Sequence, residues 1–121
     1  MTKVIQPQEL EVFYIIPALR REITHGLRSV GKDQKEIAKL LQVSEPSVSH
    51  YVNSHRASQV QFDDKIKEQI KTVSQELNEH KDVVSSTQKL LRLVRDERII
   101  CKVCHEVNKE QITAGCRVCF E

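Results

Sequence analysis

The sequence predicts an all-α protein, and three observations support that prediction. The chain has only three Gly and three Pro, which are too few for the many tight turns of an all-β protein. Apolar residues recur at spacings of three and four over most of the chain, which is the pattern of an amphipathic helix. With 121 residues, of which 39% are hydrophobic and 4% aromatic, the chain is expected to bury one small core built from Ile, Leu and Val.

The charge balance excludes two classes of protein. The 19 Lys+Arg stand against 17 Asp+Glu, which gives a formal net charge of +2; this fits neither a basic tail protein nor an acidic disordered one. No apolar run approaches the roughly 18 residues of a membrane span. The first residues do not form a secretory signal, because their apolar run contains Glu11 and leads directly into Arg20 and Arg21. We therefore expect a cytoplasmic protein with reduced thiols and no membrane partner.

The beginning of the chain predicts two helices. The first is expected at 8–16 and the second at 17–29, with Pro17 in the first turn of the second, because a proline cannot continue the first. Gly31 suits the C′ position that ends the second helix. The run from Val12 to Ile16 is apolar all round. It fits either a buried first helix or a helix that packs partly against a second subunit.

A helix-turn-helix is predicted in the middle of the chain. Asp33 is expected to cap the first helix, with Glu36 completing a capping box. Ser44 is expected to cap the second helix, which has Pro46 in its first turn. Ala38 is the small residue that two closely crossing helices require. The residues expected to pin both helices to the core are Ile37, Leu41, Val43, Val48 and Tyr51 or Val52. The alternative is that two amphipathic helices and a short turn only form part of an all-α core.

The same segment resembles the helix-turn-helix of the phage Cro and repressor family, also called the XRE-type family. The matching features are Gln34 at the start of the first helix, Ala38 at the crossing, SEPSVSHYVN as the recognition helix and HRA after it. The resemblance covers about residues 17–57. In one departure from the family, Gln42 stands where a glycine is frequent. A non-glycine residue is therefore expected in the left-handed conformation, at a cost of about 1 kcal/mol.

This resemblance implies a DNA-binding domain at 1–57, with the helix-turn-helix at 34–53 and the recognition helix at 45–54. Gln34 and Lys35, at the start of the first helix, are expected to contact phosphates with help from the helix dipole. The residues expected to face base edges are Glu45, Pro46, Ser47, Ser49 and His50. Glu45 suits a cytosine amine, and Pro46 suits a thymine methyl group. The residues expected near the DNA backbone at the helix end are Asn53, His55 and Arg56.

Residues 58–98 are predicted to form amphipathic helices. The apolar stripes are Phe62, Ile66, Ile70, Val73 and Leu77 in one stretch, and Val83, Thr87, Leu90 and Val94 in the next. They fit either a dimer interface or packing against the rest of the chain. Asp63 and Asp64 are interpreted as the N-terminal charge of a helix rather than as a catalytic pair. No nucleophile triad, paired-carboxylate, Walker or dinucleotide pattern is found, so neither an enzyme nor a small-molecule substrate is expected. The β-branched pair Ile99-Ile100 suggests a short strand.

The tail at 99–121 is predicted to bind a metal. It contains all four cysteines of the chain, in the pattern C-x2-C-x11-C-x2-C: Cys101, Cys104, Cys116 and Cys119. Two such pairs supply the four thiolates of a tetrahedral Zn²⁺ site. The same thiolates also suit an iron–sulfur cluster. Zinc is favoured because the spacer is short; structural disulfides and free thiols are the lesser alternatives.

The whole chain looks like a group of predicted archaeal transcription regulators. These combine a Pro-Ala-(Ile/Leu)-Arg-Arg-Glu motif, here residues 17–22, with a helix-turn-helix and C-terminal cysteines. The resemblance implies a sequence-specific regulator that binds double-stranded DNA as a homodimer, since a dimer contacts two half-sites. The alternative is a transcription adaptor that uses the helix-turn-helix and the metal tail for protein contacts. The target operator, the inducing signal and the sign of regulation are not predicted.

Overall fold

The computed structural model describes residues 6–58, 60–79 and 82–107, and throughout these ranges the regular structure is helical, without a strand. The predicted all-α class is therefore confirmed for this part of the chain. The described elements are α1 (Pro7–Leu10), a π-helical turn (Glu11–Ile15), α2 (Ile16–Ser29), α3 (Gln34–Leu41), α4 (Glu45–Asn53), α5 (His55–Ser58), α6 (Asp64–Asn78), α7 (Val83–Asp96) and α8 (Ile99–Val107).

The first helical segment is continuous, whereas two separate helices were expected. A π-helical turn joins α1 to α2, and within it the amide of Ile16 donates to the carbonyl of Glu11, five residues earlier. Pro17, which has no amide to donate, lies in the first turn of α2. The expected break at Pro17 is therefore wrong. The wider turn places the proline where the α-helical bonding pattern restarts, so the chain continues without a break.

The end of α2 matches its prediction. Gly31 has a φ of +92°, a conformation that only glycine adopts without strain. Its amide donates to the carbonyl of Arg28 at 3.0 Å, and the amide of Lys32 donates to that of Leu27 at 3.1 Å. These two bonds form a Schellman motif, which satisfies carbonyls that the helix end leaves unpaired. The chain then turns sharply into α3.

Helices α6 and α7 begin at aspartate caps and face the core of the chain itself. Asp63 accepts from the amide of Ile66 at 2.9 Å, and Asp82 accepts from that of Val84 at 2.9 Å. The interpretation of Asp63 as helix-terminal charge is confirmed. The buried members of the two stripes are Phe62, Ile66, Ile70, Val73, Leu77, Val83, Leu90 and Val94. Because these side chains are buried by other residues of the same chain, the two stripes pack against the rest of the chain, which was one of the two expectations.

Helices α2 and α6 cross closely at Gly26. A β-carbon built on Gly26 would lie 2.6 Å from Oγ of Ser74 and 3.0 Å from its Cβ. The Ser74 hydroxyl is buried and donates to the carbonyl of Ile70 at 2.9 Å. Because Gly26 has no side chain, the axes of α2 and α6 approach each other closely. Helix α2 also contacts α4, so α6 and α4 both pack against α2.

The strand expected at Ile99-Ile100 is wrong, since these residues begin α8. Arg98 has a φ of +57° and turns the chain between α7 and α8. Ile99, Ile100 and Val103 are all buried, and α8 contacts α1, the π-helical turn and α7. Their spacing of one and three residues places them on one helical face. Packing on that face outweighs the β-preference of the isoleucine pair.

Two surface ion pairs connect these elements. Nε and Nη2 of Arg95 donate to the two carboxylate oxygens of Glu11 at 2.8 and 3.0 Å. Nζ of Lys65 donates to Glu97 at 2.8 Å. The hydrogen bond and the charge of Glu97 raise the pKa of Lys65 above its ordinary value of 10.5. Any contribution of this pair to stability is therefore present below pH 10.5 and is lost as the pH rises through the elevated pKa.

Among the described helices, none is both long and apolar enough to cross a bilayer.

Candidate nucleic-acid interface

Helices α3 and α4 both begin at the predicted caps. Asp33 Oδ1 accepts from the amide of Glu36 at 2.9 Å, and the amide of Asp33 donates to Oε1 of Glu36 at the longer distance of 3.5 Å. Ser44 Oγ accepts from the amide of Ser47 at 3.3 Å. Pro46 lies in the first turn of α4. Each cap satisfies an amide that the helix itself leaves unpaired, so the first residue of each helix is fixed by local chemistry.

The three-residue turn between the two helices contains one strained residue. Gln42 has φ 59° and ψ 43°, the left-handed conformation expected for it. The strain is accompanied by two hydrogen bonds: the amide of Gln42 donates to Lys39 at 3.2 Å, and the amide of Val43 donates to Ala38 at 3.0 Å. These bonds satisfy carbonyls at the end of α3 and set the direction in which α4 leaves the turn.

The inner faces of α3 and α4 are buried as predicted. Ala38 is buried where the two helices contact each other. The other predicted pins that are buried are Ile37, Leu41, Val48 and Tyr51, while Val43 and Val52 are half-buried. Of the two alternatives at the end of α4, Tyr51 is thus the inward residue. Helix α4 also contacts α2, so the pair lies on the first helical segment.

A polar contact to α2 fixes the end of α4. Nη1 of Arg20 donates to the hydroxyl of Tyr51 at 2.7 Å, and Cζ of Arg20 lies 5.3 Å from the centre of the Tyr51 ring. A buried tyrosine hydroxyl requires such a partner. Sequence reasoning missed this contact, although an inward tyrosine was a signal that a polar partner was needed. The identity of that partner, 31 positions away, was not visible in any local pattern.

A second polar contact joins the N-termini of α3 and α4. Nε2 of Gln34 donates to the carbonyl of Glu45 at 2.8 Å and to Oγ of Ser49, also at 2.8 Å. The two donors of this amide group are thus engaged within the protein. The contact of Gln34 with a phosphate stays a prediction, but the side chain acts first as a bridge between the helices. The first residues of α3 and α4 lie next to each other as a result.

The outward face of α4 is polar and open. Among the predicted contact residues, the exposed ones are Lys35, Glu45, Pro46, His50 and Asn53, and the half-buried ones are Gln34, Ser47 and Ser49. Ser47 shares a hydrogen bond of 2.8 Å with Ser44, and Nδ2 of Asn53 donates to the carbonyl of Ser49 at 3.0 Å. The ring of His50 meets the Tyr51 ring edge-on, with centroids 6.3 Å apart. The side chains of His55 and Arg56 lie outside the described residues.

The electrostatics of this face come from helix ends and a few charges. The N-termini of α3 and α4 each carry a partial positive charge, and the bridge from Gln34 places them side by side. Lys35 is exposed at this end. Nζ of Lys32 lies 3.4 Å from Oε2 of Glu36, and this ion pair partly neutralises the charge of Lys32. The carboxylates of Asp33, Glu36 and Glu45 lie at these same ends and offset the partial charges, so the exposed cation that this face offers to a phosphate is Lys35.

The predicted metal ligands are described only in part. Cys101 and Cys104 are half-buried on α8 and pack against the core. Because they are three residues apart on a helix, their side chains lie on the same side, which fits two neighbouring ligands of a four-thiolate site. Cys116 and Cys119 lie outside the described residues. Within the described ranges no group of three or more His, Cys, Asp or Glu side chains is placed to hold a metal.

Comparisons of the chain with protein-family models, with curated proteins and with solved structures found no match. The resemblances drawn from the sequence therefore stay expectations.

Proposed function

We propose that the chain is a sequence-specific DNA-binding transcription regulator, in which α3 and α4 form a helix-turn-helix and residues 45–54 enter the major groove. The main support is one observation: α4 is buried on one side by Val48 and Tyr51 and open and polar on the other. A helix about 10–12 Å across fits a major groove about 12 Å wide. The capped start of α4 projects polar side chains where such helices contact base edges.

The proposed base contacts lie along one side of α4. Glu45 and Pro46 begin the helix, and Ser49 and His50 follow one turn later, so all four share a face. Glu45 accepts from a cytosine amine, Pro46 contacts a thymine methyl, and Ser49 and His50 bond to neighbouring base edges. Ser47 lies beside the cap, where its hydroxyl is already paired with Ser44. Asn53 and Arg56 approach the DNA backbone from the end of the helix.

The proposed phosphate contact is made by Lys35 and the N-terminus of α3. Lys35 is exposed, and the amides at the start of α3 point toward the same end. Gln34 supports this contact from within, because its amide group holds the start of α4 against the start of α3. Contacts of this kind fix the position of a protein on the duplex but do not select a sequence.

We propose that the protein binds DNA as a homodimer. One recognition helix contacts only a few base pairs, and a dimer contacts two half-sites about one helical turn apart. The apolar stripes of α6 and α7 are buried within the chain, so the supporting surface is elsewhere. In the π-helical turn Val12 is 56% exposed and Phe13 is 45% exposed. The mass measured by sedimentation should be about twice 14.0 kDa. Val12→Asp should lower that mass, whereas Val84→Asp, at a similarly exposed position of α7, should not.

The tail is proposed to hold one Zn²⁺, or alternatively an iron–sulfur cluster, through its four cysteines. The half-buried position of Cys101 and Cys104 on α8 supports this, since a closed site is shielded from water. A bound metal would add folding energy to a segment with few large apolar residues. Elemental analysis of anaerobically purified protein distinguishes one colourless zinc per chain from iron with sulfide. Finding neither metal would contradict the proposal.

The proposed function is tested by selection of binding sites from random duplex DNA. A regulator should select a palindromic site, whereas an adaptor should select none. The triple variant with Ser47, Ser49 and His50 changed to Ala should lose that preference, with each base contact contributing about 1–3 kcal/mol. Lys35→Ala should weaken binding to all sequences and reduce the salt slope by about one unit. Lys71→Ala, an exposed lysine on α6, is the control. Unchanged affinity of the triple variant for the selected site would contradict the assignment.

A further inference from the structure

The hydrogen bonds around Gln34 fix which atom of its side-chain amide points toward α4. The carbonyl of Glu45 lies 2.8 Å from this amide group and can only accept a hydrogen bond. The nitrogen of Gln34, and not its oxygen, therefore faces the carbonyl. The same nitrogen lies 2.8 Å from Oγ of Ser49. Because an amide NH₂ group only donates, the Ser49 hydroxyl must accept this second bond.

Ser49 differs in this respect from other hydroxyl side chains in the helices of this protein. Four of them donate to the carbonyl four residues earlier, as hydroxyls within helices commonly do: Thr24 to Arg20, Thr72 to Glu68, Ser74 to Ile70 and Thr87 to Val83. The matching acceptor for Ser49 is the carbonyl of Glu45. That carbonyl already takes the helical amide bond and the bond from Gln34, which together use its two lone pairs. Within the described residues, the Ser49 proton donates to no other group.

We infer that Ser49 is a specificity residue that selects a hydrogen-bond acceptor on the base it contacts. This inference rests on the proposed function and names the base chemistry of one position. A serine hydroxyl in general pairs with either kind of base edge. Here Gln34 occupies one of the two lone pairs of the hydroxyl. The proton has no partner among the described residues, so it is the group that a contacting base has to satisfy with an acceptor. Suitable acceptors in the major groove are N7 of a purine, O6 of guanine and O4 of thymine. Cytosine, which offers an amine, would leave the proton unpaired at the interface.

The first test uses the site selected from random duplexes. At the position that Ser49→Ala makes degenerate, the wild-type protein should select guanine, adenine or thymine and disfavour cytosine. Removal of the acceptor from the selected base, by a 7-deazapurine or a pyrimidine without O4, should weaken wild-type binding about three- to tenfold, the value of one hydrogen bond. The same analogues should not affect Ser49→Ala. A preference for cytosine, or equal sensitivity of both proteins, would overturn the inference.

The bridging residue provides a matched variant. Gln34→Leu removes the two donors and frees the Glu45 carbonyl, so Ser49 should donate to it like the other helical hydroxyls. Overall affinity should fall, because Gln34 also holds the start of α4, and the preference against cytosine at this one position should weaken more than selection at the other positions of the site. Selection unchanged at every position would contradict the role of Gln34.

A measurement on the free protein separates this inference from the proposed function. The side-chain amide protons of Gln34 should shift in NMR spectra of Ser49→Ala and stay unchanged in Ser85→Ala, an exposed serine on α7. An unshifted Gln34 signal in Ser49→Ala would mean that the hydroxyl is not held as an acceptor. If the amide shifts as expected but no DNA site is selected, the hydrogen-bond arrangement is correct and the proposed function, together with the base preference, is wrong.

Discussion

The α3–α4 pair and the α6–α7–α8 bundle are held in place by different interactions. In the pair, the helix ends are fixed by the caps Asp33 and Ser44 and by the bridge from Gln34. In the bundle, α6 and α7 also begin at aspartate caps, but its helices are held together by long buried apolar faces, with ion pairs on the surface. Polar bonds at helix ends need little buried area, so they orient α4 while its outer face stays open. The bundle buries more apolar side chains than the pair, and the pair leaves the outer face of α4 exposed.

Truncation at the centre of the bundle should have the largest effect. Ile99 is buried on α8 against α1 and α7, and Ile99→Ala would remove a core side chain from this contact. We expect a loss of about 2–5 kcal/mol in the free energy of unfolding, measured by urea denaturation. Val84→Ala, at a position of α7 that is 64% exposed, should change it by less than about 0.5 kcal/mol. Equal effects of the two substitutions would mean that α8 is not part of the core.

The crossing of α2 and α6 should be the next most sensitive point. In an open helix Gly→Ala gains about 1 kcal/mol, but at Gly26 the added methyl group meets Ser74. We expect Gly26→Ala to destabilise the protein by about 1–3 kcal/mol through overpacking. Removal of the obstructing side chain by Ser74→Gly should restore part of the loss, which a double-mutant cycle measures. Additive effects of the two substitutions would show that the helices are not in close contact there.

A cap in the α3–α4 pair should contribute less than a core side chain of the bundle. Ser44→Ala removes the acceptor for the amide of Ser47 and should cost about 1 kcal/mol in stability. It should also weaken the proposed DNA binding, because the start of α4 becomes less fixed. Ser85→Ala, at an exposed position in the first turn of α7 that is not the cap, is the matched control and should be close to neutral. A neutral Ser44→Ala would mean that the cap is not formed in solution.

The surface ion pair between α7 and the π-helical turn should contribute least. The guanidinium of Arg95 donates two hydrogen bonds to Glu11, and these bonds together with the charge of Glu11 raise the pKa of Arg95 above its ordinary value. The side chain is half exposed, so solvent and salt screen the attraction. Arg95→Lys should lower stability by about 0.5 kcal/mol or less, and the difference should vanish in about 1 M salt. A loss that persists at high salt would point to packing by the arginine stem instead.

Local chemistry made much of the α3–α4 pair predictable. Asp33 with Glu36, Ser44 before Pro46, and Gly31 after α2 each mark a helix end through a hydrogen bond made within a few residues, and all three assignments are confirmed. The left-handed conformation of Gln42 was expected from the family resemblance, in which a glycine is frequent at this position, and it is confirmed. The division of α4 into a buried side and an exposed side was predictable from the spacing of its apolar residues.

Features that depend on distant parts of the chain were not predictable. Ile99-Ile100 has the local preference of a strand, and only contacts with α1 and α7 select the helix. The π-helical turn was not predictable, because the run from Val12 to Ile16 is apolar all round and so defines no helical period. The bridge from Gln34 to Ser49 spans 15 positions, so neither partner indicates the other in the sequence.

The π-helical turn also makes the first helical segment sensitive to chain length. A π-type turn accommodates one residue more than an α-type turn, so deletion of one residue between Glu11 and Tyr14 would restore a regular helix. Each residue of an α-helix advances the side chains by about 100°, and Leu10, which is fully buried, would swing out of the core. Point changes at exposed Val12 leave that orientation intact. Among descendants of this sequence, exchanges of one apolar residue for another at Val12 should therefore be tolerated, while insertions and deletions in the turn should be rare.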